Sequence, residues 1–248
     1  MISKQGRFIF FHIPRTGGSS VQDALWGVNP KNNPDYLGSY DWHLYGFNKE
    51  KGNDAVDDVG HIGQRLYDWN TYFLAENSNP YSLNHGKEKF KEYFKFTFVR
   101  NPWDRFISLW VKFKEEVKLQ EQFNGLFDLH IDTDFKEPQE VLRYLLLAHQ
   151  KDLLLPRWFK PQYEYVHDEN LRILTNYIGQ YEKFQFCFDF LCDRIDVPHK
   201  TLPWSSEEHR RKKKDGKHYT EWYDDVMINA IAEIYYHDIR TWSYEFGG

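Results

Sequence analysis

The segment Arg7-Phe8-Ile9-Phe10-Phe11-His12-Ile13, followed by Pro14-Arg15-Thr16-Gly17-Gly18-Ser19-Ser20, constrains this chain more than any other. A short, unbroken apolar run bounded by a proline and paired glycines predicts a buried strand, Arg7 to Ile13, that ends in a tight loop. Beyond the loop, Val21, Ala24 and Leu25 recur at helical spacing, with Ser19 and Ser20 as the candidate N-caps. Strand, glycine loop and helix in that order are the parts of an anion cradle. Glycines admit close approach of main-chain N–H groups, and the helix N-terminus favours negative charge. Thr16, Ser19 and Ser20 add hydroxyl donors, and Arg15 adds a fixed positive charge. An ordinary strand–turn–helix connection accounts for the same residues on this segment alone.

The loop is not that of the nucleotide triphosphatases. Their Gly-Lys-Ser/Thr ending is missing, so no lysine follows Gly18 to reach the outer phosphates of ATP. The dinucleotide fingerprint Gly-x-Gly-x-x-Gly is also absent from it. A second anion site is readable downstream. Alternating aromatics in Tyr93-Phe94-Lys95-Phe96-Thr97-Phe98-Val99 predict a strand, and Arg100 stands at its end. Asn101-Pro102 then supplies an N-cap and a first-turn proline, and Phe106, Leu109, Trp110 and Phe113 mark the inner face of a helix.

Three more amphipathic helices follow. Pro138 to His149 turns Val141, Leu142, Leu145 and Leu146 inward. Tyr181 to Ile195 does so with Phe184, Phe188, Leu191 and Ile195, and Thr220 to Tyr236 with Trp222, Val226, Ile231 and Ile234. Residues 29–84 are irregular, with an acidic cluster at Asp54, Asp57 and Asp58, and read as a substrate-facing insertion. Residues 205–218 contain Arg210-Arg211-Lys212-Lys213-Lys214 and read as a basic flap, although such a run is equally a solvated face. No repeat or linker divides the 248 residues. The expected architecture is one α/β domain over residues 1–248, a P-loop-type central parallel sheet flanked by helices.

Composition narrows the function classes. A hydrophobic share of 41% with 28% charged residues is globular, and 19% aromatics can fill a core or line a groove. A net charge of −5 argues against coating of nucleic acid, so an anion site must be local. Cys187 and Cys192 have no second pair to complete a zinc site and read as buried apolar thiols. With no run of about 18 apolar residues and no signal-peptide core, the expectation is a cytoplasmic protein without a membrane span. Gly-x-Ser-x-Gly and His-Glu-x-x-His are absent, which argues against the common hydrolases.

FFHIPRTGGSS resembles the 5′-phosphosulfate loop of sulfotransferases that use 3′-phosphoadenosine 5′-phosphosulfate (PAPS). FKFTFVRNPWDRFISLW is similar to that superfamily's 3′-phosphate segment, and the final stretch from KHYTEWYDD to WSYEF resembles its C-terminal helix. The likeness is to the carbohydrate-type family, including its soluble bacterial members. It implies that Thr16, Gly17, Gly18, Ser19 and Ser20 wrap the 5′-phosphosulfate, and that Arg100 and Ser108 hold the 3′-phosphate. Lys214 or Lys217 of the flap would touch that phosphate. Arg15 stands where most members carry a lysine that neutralises the bridging oxygen; arginine keeps the charge with a wider fork.

The resemblance further implies in-line sulfuryl transfer to a hydroxyl, of a sugar by family likeness, with no metal. Its base would be His61, which ends a segment where Tyr45-Gly46 precedes a Gly-His pair. His85 is the alternative, then an acid such as Glu76 or Glu88. His12 is expected to have a structural or phosphate-neighbouring role, Lys160-Pro161-Gln162-Tyr163 resembles a segment near the acceptor, Trp103 packs on the sheet or stacks on adenine, and Arg105 pairs with an acid or stays solvated. Two other classes compete: a P-loop nucleotide kinase or phosphotransferase, and a non-catalytic binder of 3′,5′-ADP or anionic glycans.

Overall fold

A five-stranded sheet with the order β3-β1-β2-β4-β5 is built from Ile2–Ser3 (β1), Phe8–Phe11 (β2), Tyr36–Gly38 (β3), Phe94–Val99 (β4) and Tyr177–Gln180 (β5). β2, β4 and β5 run parallel, with Phe8 opposite Phe94 and Val99 opposite Gln180. β1 joins β2 and β3 antiparallel. The fold is thus α/β with a parallel centre, as the sequence predicts, and an antiparallel edge that it did not reveal. This computed structural model describes residues 1–3, 5–27, 33, 35–38, 83–127, 135–153, 155–203 and 216–248.

These residues group into two compact units: Met1–Ile13, Gly17–Val99 and Glu164–Pro203 in the first, and Pro14–Thr16, Arg100–Tyr163 and Trp204–Gly248 in the second. Helices Gly18–Trp26 (α1), Leu83–Glu92 (α2) and Phe184–Ile195 (α6) belong to the first unit with the sheet. Pro102–Glu115 (α3), Val117–Phe127 (α4), Pro138–Gln150 (α5), Asp225–Ile234 (α7) and Tyr236–Trp242 (α8) belong to the second. Among the described residues, no helix is long and apolar enough to cross a membrane.

In the first unit the period of two decides which rings meet which helix. Phe8, Phe10, Phe96 and Phe98 form one core cluster with Val21 and Ala24 of α1 and with Phe184, Cys187, Phe188, Leu191 and Cys192 of α6. Phe10 stacks on Phe96 at 5.1 Å between ring centroids, and Phe98 meets Phe184 edge-on at 5.1 Å. A Cβ on Gly179 of β5 would lie 2.5 Å from the Phe98 ring, so only glycine lets that ring pass. Alternate residues meet α2: Phe11 lies 6.3 Å from Phe90, and the buried Lys95 ammonium donates to the carbonyls of Phe90, Lys91 and Tyr93. It closes the C-terminal end of α2, and burial pulls its pKa down.

Both cysteines are free and buried, and burial with the neighbouring Asp189 and Asp193 pushes the Cys192 thiol up to about 11. These are inert core thiols.

The second unit has an aromatic core. The rings of Phe113, Phe123 and Phe135 meet pairwise at 5.2–5.3 Å, and Phe159 packs 6.1 Å from Phe113. Asn101 caps α3 as expected, its side chain accepting from Trp103 N–H at 3.1 Å, while its amide donates to Glu245 O at 2.8 Å.

Several expectations need correction. Arg7 adopts a left-handed φ of 49°, which shortens the first strand to Phe8–Phe11. A 3-10 turn over Tyr181–Lys183 precedes α6. The C-terminal helix is two helices preceded by a 3-10 turn at Tyr219–Trp222. Because Asp224 caps α7, the buried stripe is Met227, Ala230, Ile231 and Ile234, and Val226 is exposed. Trp103 packs within its own unit, donating to Ile228 O at 3.1 Å and meeting Phe246 edge-on.

Candidate active site

In the first unit, the glycine loop delivers the start of α1. Gly17, and neither Ser19 nor Ser20, is the N-cap, with a left-handed φ of 87°. A side chain there would be strained, and its Cβ would sit 2.3 Å from Phe184. Gly18 is required for another reason: its Cβ would fall 2.0 Å from the His12 imidazole, which stacks on Phe10. His12 is thus the wall behind the loop.

The first main-chain bond of α1 runs from Val21 N–H to Gly17 O at 3.2 Å, so the N–H groups of Gly18, Ser19 and Ser20 lie ahead of the helical ladder. Ser20 donates its hydroxyl to Pro203 O at 2.7 Å, whereas Ser19 is exposed. A run of N–H groups at the positive end of a helix fits an anion.

The second unit holds Pro14, Arg15 and Thr16, which directly precede those glycines. Pro14 and Arg15 are stitched to α3 and to Arg100 just ahead of it by three bonds. Arg105 Nε donates to Pro14 O at 3.0 Å, Arg100 Nη1 to Arg15 O at 3.0 Å, and Arg15 Nε to Ser108 Oγ at 3.0 Å. Arg15 takes the left-handed region without being glycine, at φ 68°. Thr16 follows it, fully buried.

Asp104 and Ser108 fall on one side of α3 because they are four residues apart, and Arg100, just ahead of the Asn101 cap, reaches back to Asp104. Arg100 is buried and sends both Nε and Nη2 to Asp104 Oδ2, each at 2.7 Å. Arg105 corrects the sequence reading. It is neither solvated nor paired by a direct bond to an acid: its guanidinium is buried and also donates to Lys160 O and Trp158 O, at 3.1 and 2.9 Å.

Arg100 is further held by its main chain. Its N–H donates to Gln162 Oε1 at 2.9 Å, and its carbonyl accepts from Gln162 Nε2 at 2.8 Å. Asp238 of α8 receives Gln162 N–H at 2.8 Å, Gln162 Nε2 at 3.2 Å and Tyr163 N–H at 2.8 Å. Burial pushes the Asp238 carboxyl up to about 6, against the opposing pull of those N–H groups and of the nearby Arg105 charge.

The sequence-predicted residues Arg15, Arg100 and Ser108 are therefore joined within one unit by hydrogen bonds. Lys217 is in the same unit, where its ammonium lies over the Trp222 ring, 4.4 Å from the centroid. Glu88 is exposed on α2, and Lys160 is buried. His61, Glu76, Lys214 and the acidic cluster at Asp54, Asp57 and Asp58 lie outside the described residues; so does the side chain of His85. Among the described residues, no group of three His, Cys, Asp or Glu side chains could hold a metal ion.

Asp104 and Asp238 are the participants that sequence reasoning missed, and Gln162, read there only as part of a segment near the acceptor, instead pairs with the Arg100 main chain. The four-residue step from Arg100 to Asp104 was a usable signal. Nothing in the sequence links Gln162 to a residue 76 positions later.

No curated protein and no solved structure matches the chain. A family model described as the sulfotransferase family matches residues 1–245, nearly the whole sequence. With a match of that extent over an α/β fold, the chain belongs to the sulfotransferase family.

Proposed function

We propose that the protein transfers the sulfuryl group of PAPS to a hydroxyl, most consistently one on a carbohydrate, by in-line displacement. The acceptor oxygen forms a bond to sulfur while the bond from sulfur to the 5′-phosphate oxygen breaks. The acceptor proton goes to a base and 3′,5′-ADP leaves. Charge builds on the departing phosphate, as in phosphoryl transfer, so the protein must supply fixed positive charge and N–H donors at both ends of the donor.

The observation that carries this reading is the cluster of Arg15, Arg100 and Ser108, in which the Arg15 guanidinium donates to the Ser108 hydroxyl and the Arg100 guanidinium to the Arg15 carbonyl and to Asp104 of α3. Arg100 and Ser108 are assigned to the 3′-phosphate, and Arg15 to the bridging oxygen of the phosphosulfate. Thr16, Gly17, Gly18, Ser19 and Ser20 are assigned to its other oxygens, which the unladdered N–H groups at the start of α1 suit. Lys214 and Lys217 complete the set as flap residues at the 3′-phosphate, and His61 is assigned as the base. Arg15, Arg100 and helix N–H groups can neutralise the donor without a metal.

Labelled PAPS offered with a panel of neutral and anionic sugars in the absence of metal tests this reading. Transfer of label with matching release of 3′,5′-ADP is the expected result. Turnover of ATP with Mg²⁺ in its place would favour a phosphotransferase.

A further inference from the structure

We infer that Gln162 and Asp238 are positioning residues that aim Arg100 at the donor's 3′-phosphate; this rests on the assignment of Arg100 made above. Arg100 has two parts to hold. Its guanidinium is gripped by Asp104 Oδ2 and by Arg15 O. Its peptide groups are gripped by a single side chain, Gln162, which accepts from Arg100 N–H at 2.9 Å and donates to Arg100 O at 2.8 Å. That two-way pairing is what a neighbouring strand would provide, supplied here by a primary amide.

An amide could make the pairing in only one orientation, and Asp238 selects it. The carboxylate Oδ2 lies 3.2 Å from Gln162 Nε2, so the nitrogen, and not the oxygen, must face it. The same oxygen takes Gln162 N–H at 2.8 Å, and Oδ1 takes Tyr163 N–H at 2.8 Å. Gln162 and Asp238 are both fully buried, at 0% exposure, so neither can be a surface contact that happens to form. A long side chain amplifies any rotation at its own Cα, so a donor that must meet a phosphate within hydrogen-bond tolerance needs its peptide fixed on both sides. The path therefore runs from Asp238 through Gln162 to the Arg100 main chain, with no contact to the ligand required of either residue.

The test compares binding of 3′,5′-ADP with binding of 5′-AMP, which shares the nucleoside and 5′-phosphate and lacks only the 3′-phosphate. Gln162→Met removes both bonds to Arg100 at similar length. The expected result is a fall of at least tenfold in the 3′,5′-ADP preference, with 5′-AMP affinity held within about twofold, because a merely structural role would weaken both ligands together. Should Gln162→Met not fold, Asp238→Asn, which keeps the shape and loses the charge, decides on the same ratio with a smaller fall. A folded variant that keeps the full wild-type preference overturns this inference and leaves the assignment of Arg100 intact. A wild type that binds the two nucleotides equally overturns that assignment, and this inference with it.

Discussion

Arg15 and Ser108, 93 residues apart in the chain, are joined by a hydrogen bond of 3.0 Å from Nε to Oγ. Ser108 accepts in that bond, so its own hydroxyl hydrogen is turned away from Arg15 and is available as a donor. A lysine at position 15 carries its charge on Nζ alone and has no nitrogen at the Nε position. Substitution of Arg15 by Lys therefore keeps the charge and removes the orienting bond.

A double-mutant cycle reads that coupling. Arg15→Lys is expected to retain activity, with a lower affinity for 3′,5′-ADP, and Ser108→Ala to weaken the same affinity. Made together, they should cost less than the sum by about 0.5 kcal/mol or more, as contacting residues do. Additivity would mean that the two side chains act independently.

The wall behind the glycine loop makes a stability prediction. Gly18→Ala sets a Cβ 2.0 Å from the His12 ring and is expected to destabilise the fold by roughly 1–3 kcal/mol in urea unfolding. His12→Ala in the same chain vacates that space and should recover most of the loss. No recovery would place the strain elsewhere.

How far such features were legible depended on their range. The two strand–loop–helix segments stood out because strand periodicity, Gly17, Gly18 and the Asn101-Pro102 cap are signals spread over a few residues. Ser19 and Ser20 were mistaken for caps because a left-handed Gly17 starts the helix earlier than a hydroxyl would. The antiparallel strands β1 and β3 are two and three residues long, too short to show a period. Arg105 was misjudged because its three carbonyl partners, at Pro14, Trp158 and Lys160, come from segments that only folding assembles. Asp238, and the pairing of Gln162 with Arg100, were illegible for the same reason.

Asp238 predicts a pH dependence of stability. Its folded carboxyl is pushed up to about 6, whereas the ordinary value is 3.8. The folded state binds the extra proton between these values, so the contribution is fully present below about pH 4 and is lost as pH rises through about 6. The amount is on the order of 3 kcal/mol. Relative to Asp238→Asn, the wild type should therefore lose stability between pH 4 and 7 in urea unfolding. A difference that stays flat or grows over that range contradicts the assignment.

His61→Ala is expected to leave 3′,5′-ADP affinity unchanged and to lower turnover by about 10²–10⁴, the range for a lost general base. If His85→Ala has that effect and His61→Ala does not, the base is His85.

Calorimetric titration of wild type and Arg100→Ala with 3′,5′-ADP in metal-free buffer, beside ATP with Mg²⁺, tests the central claim most directly. The account predicts metal-free binding of 3′,5′-ADP by the wild type and an affinity at least tenfold weaker in Arg100→Ala, since a charged hydrogen bond is worth roughly 1.5–3 kcal/mol. Equal affinity in the two proteins, or a wild type that prefers Mg-ATP, would contradict it.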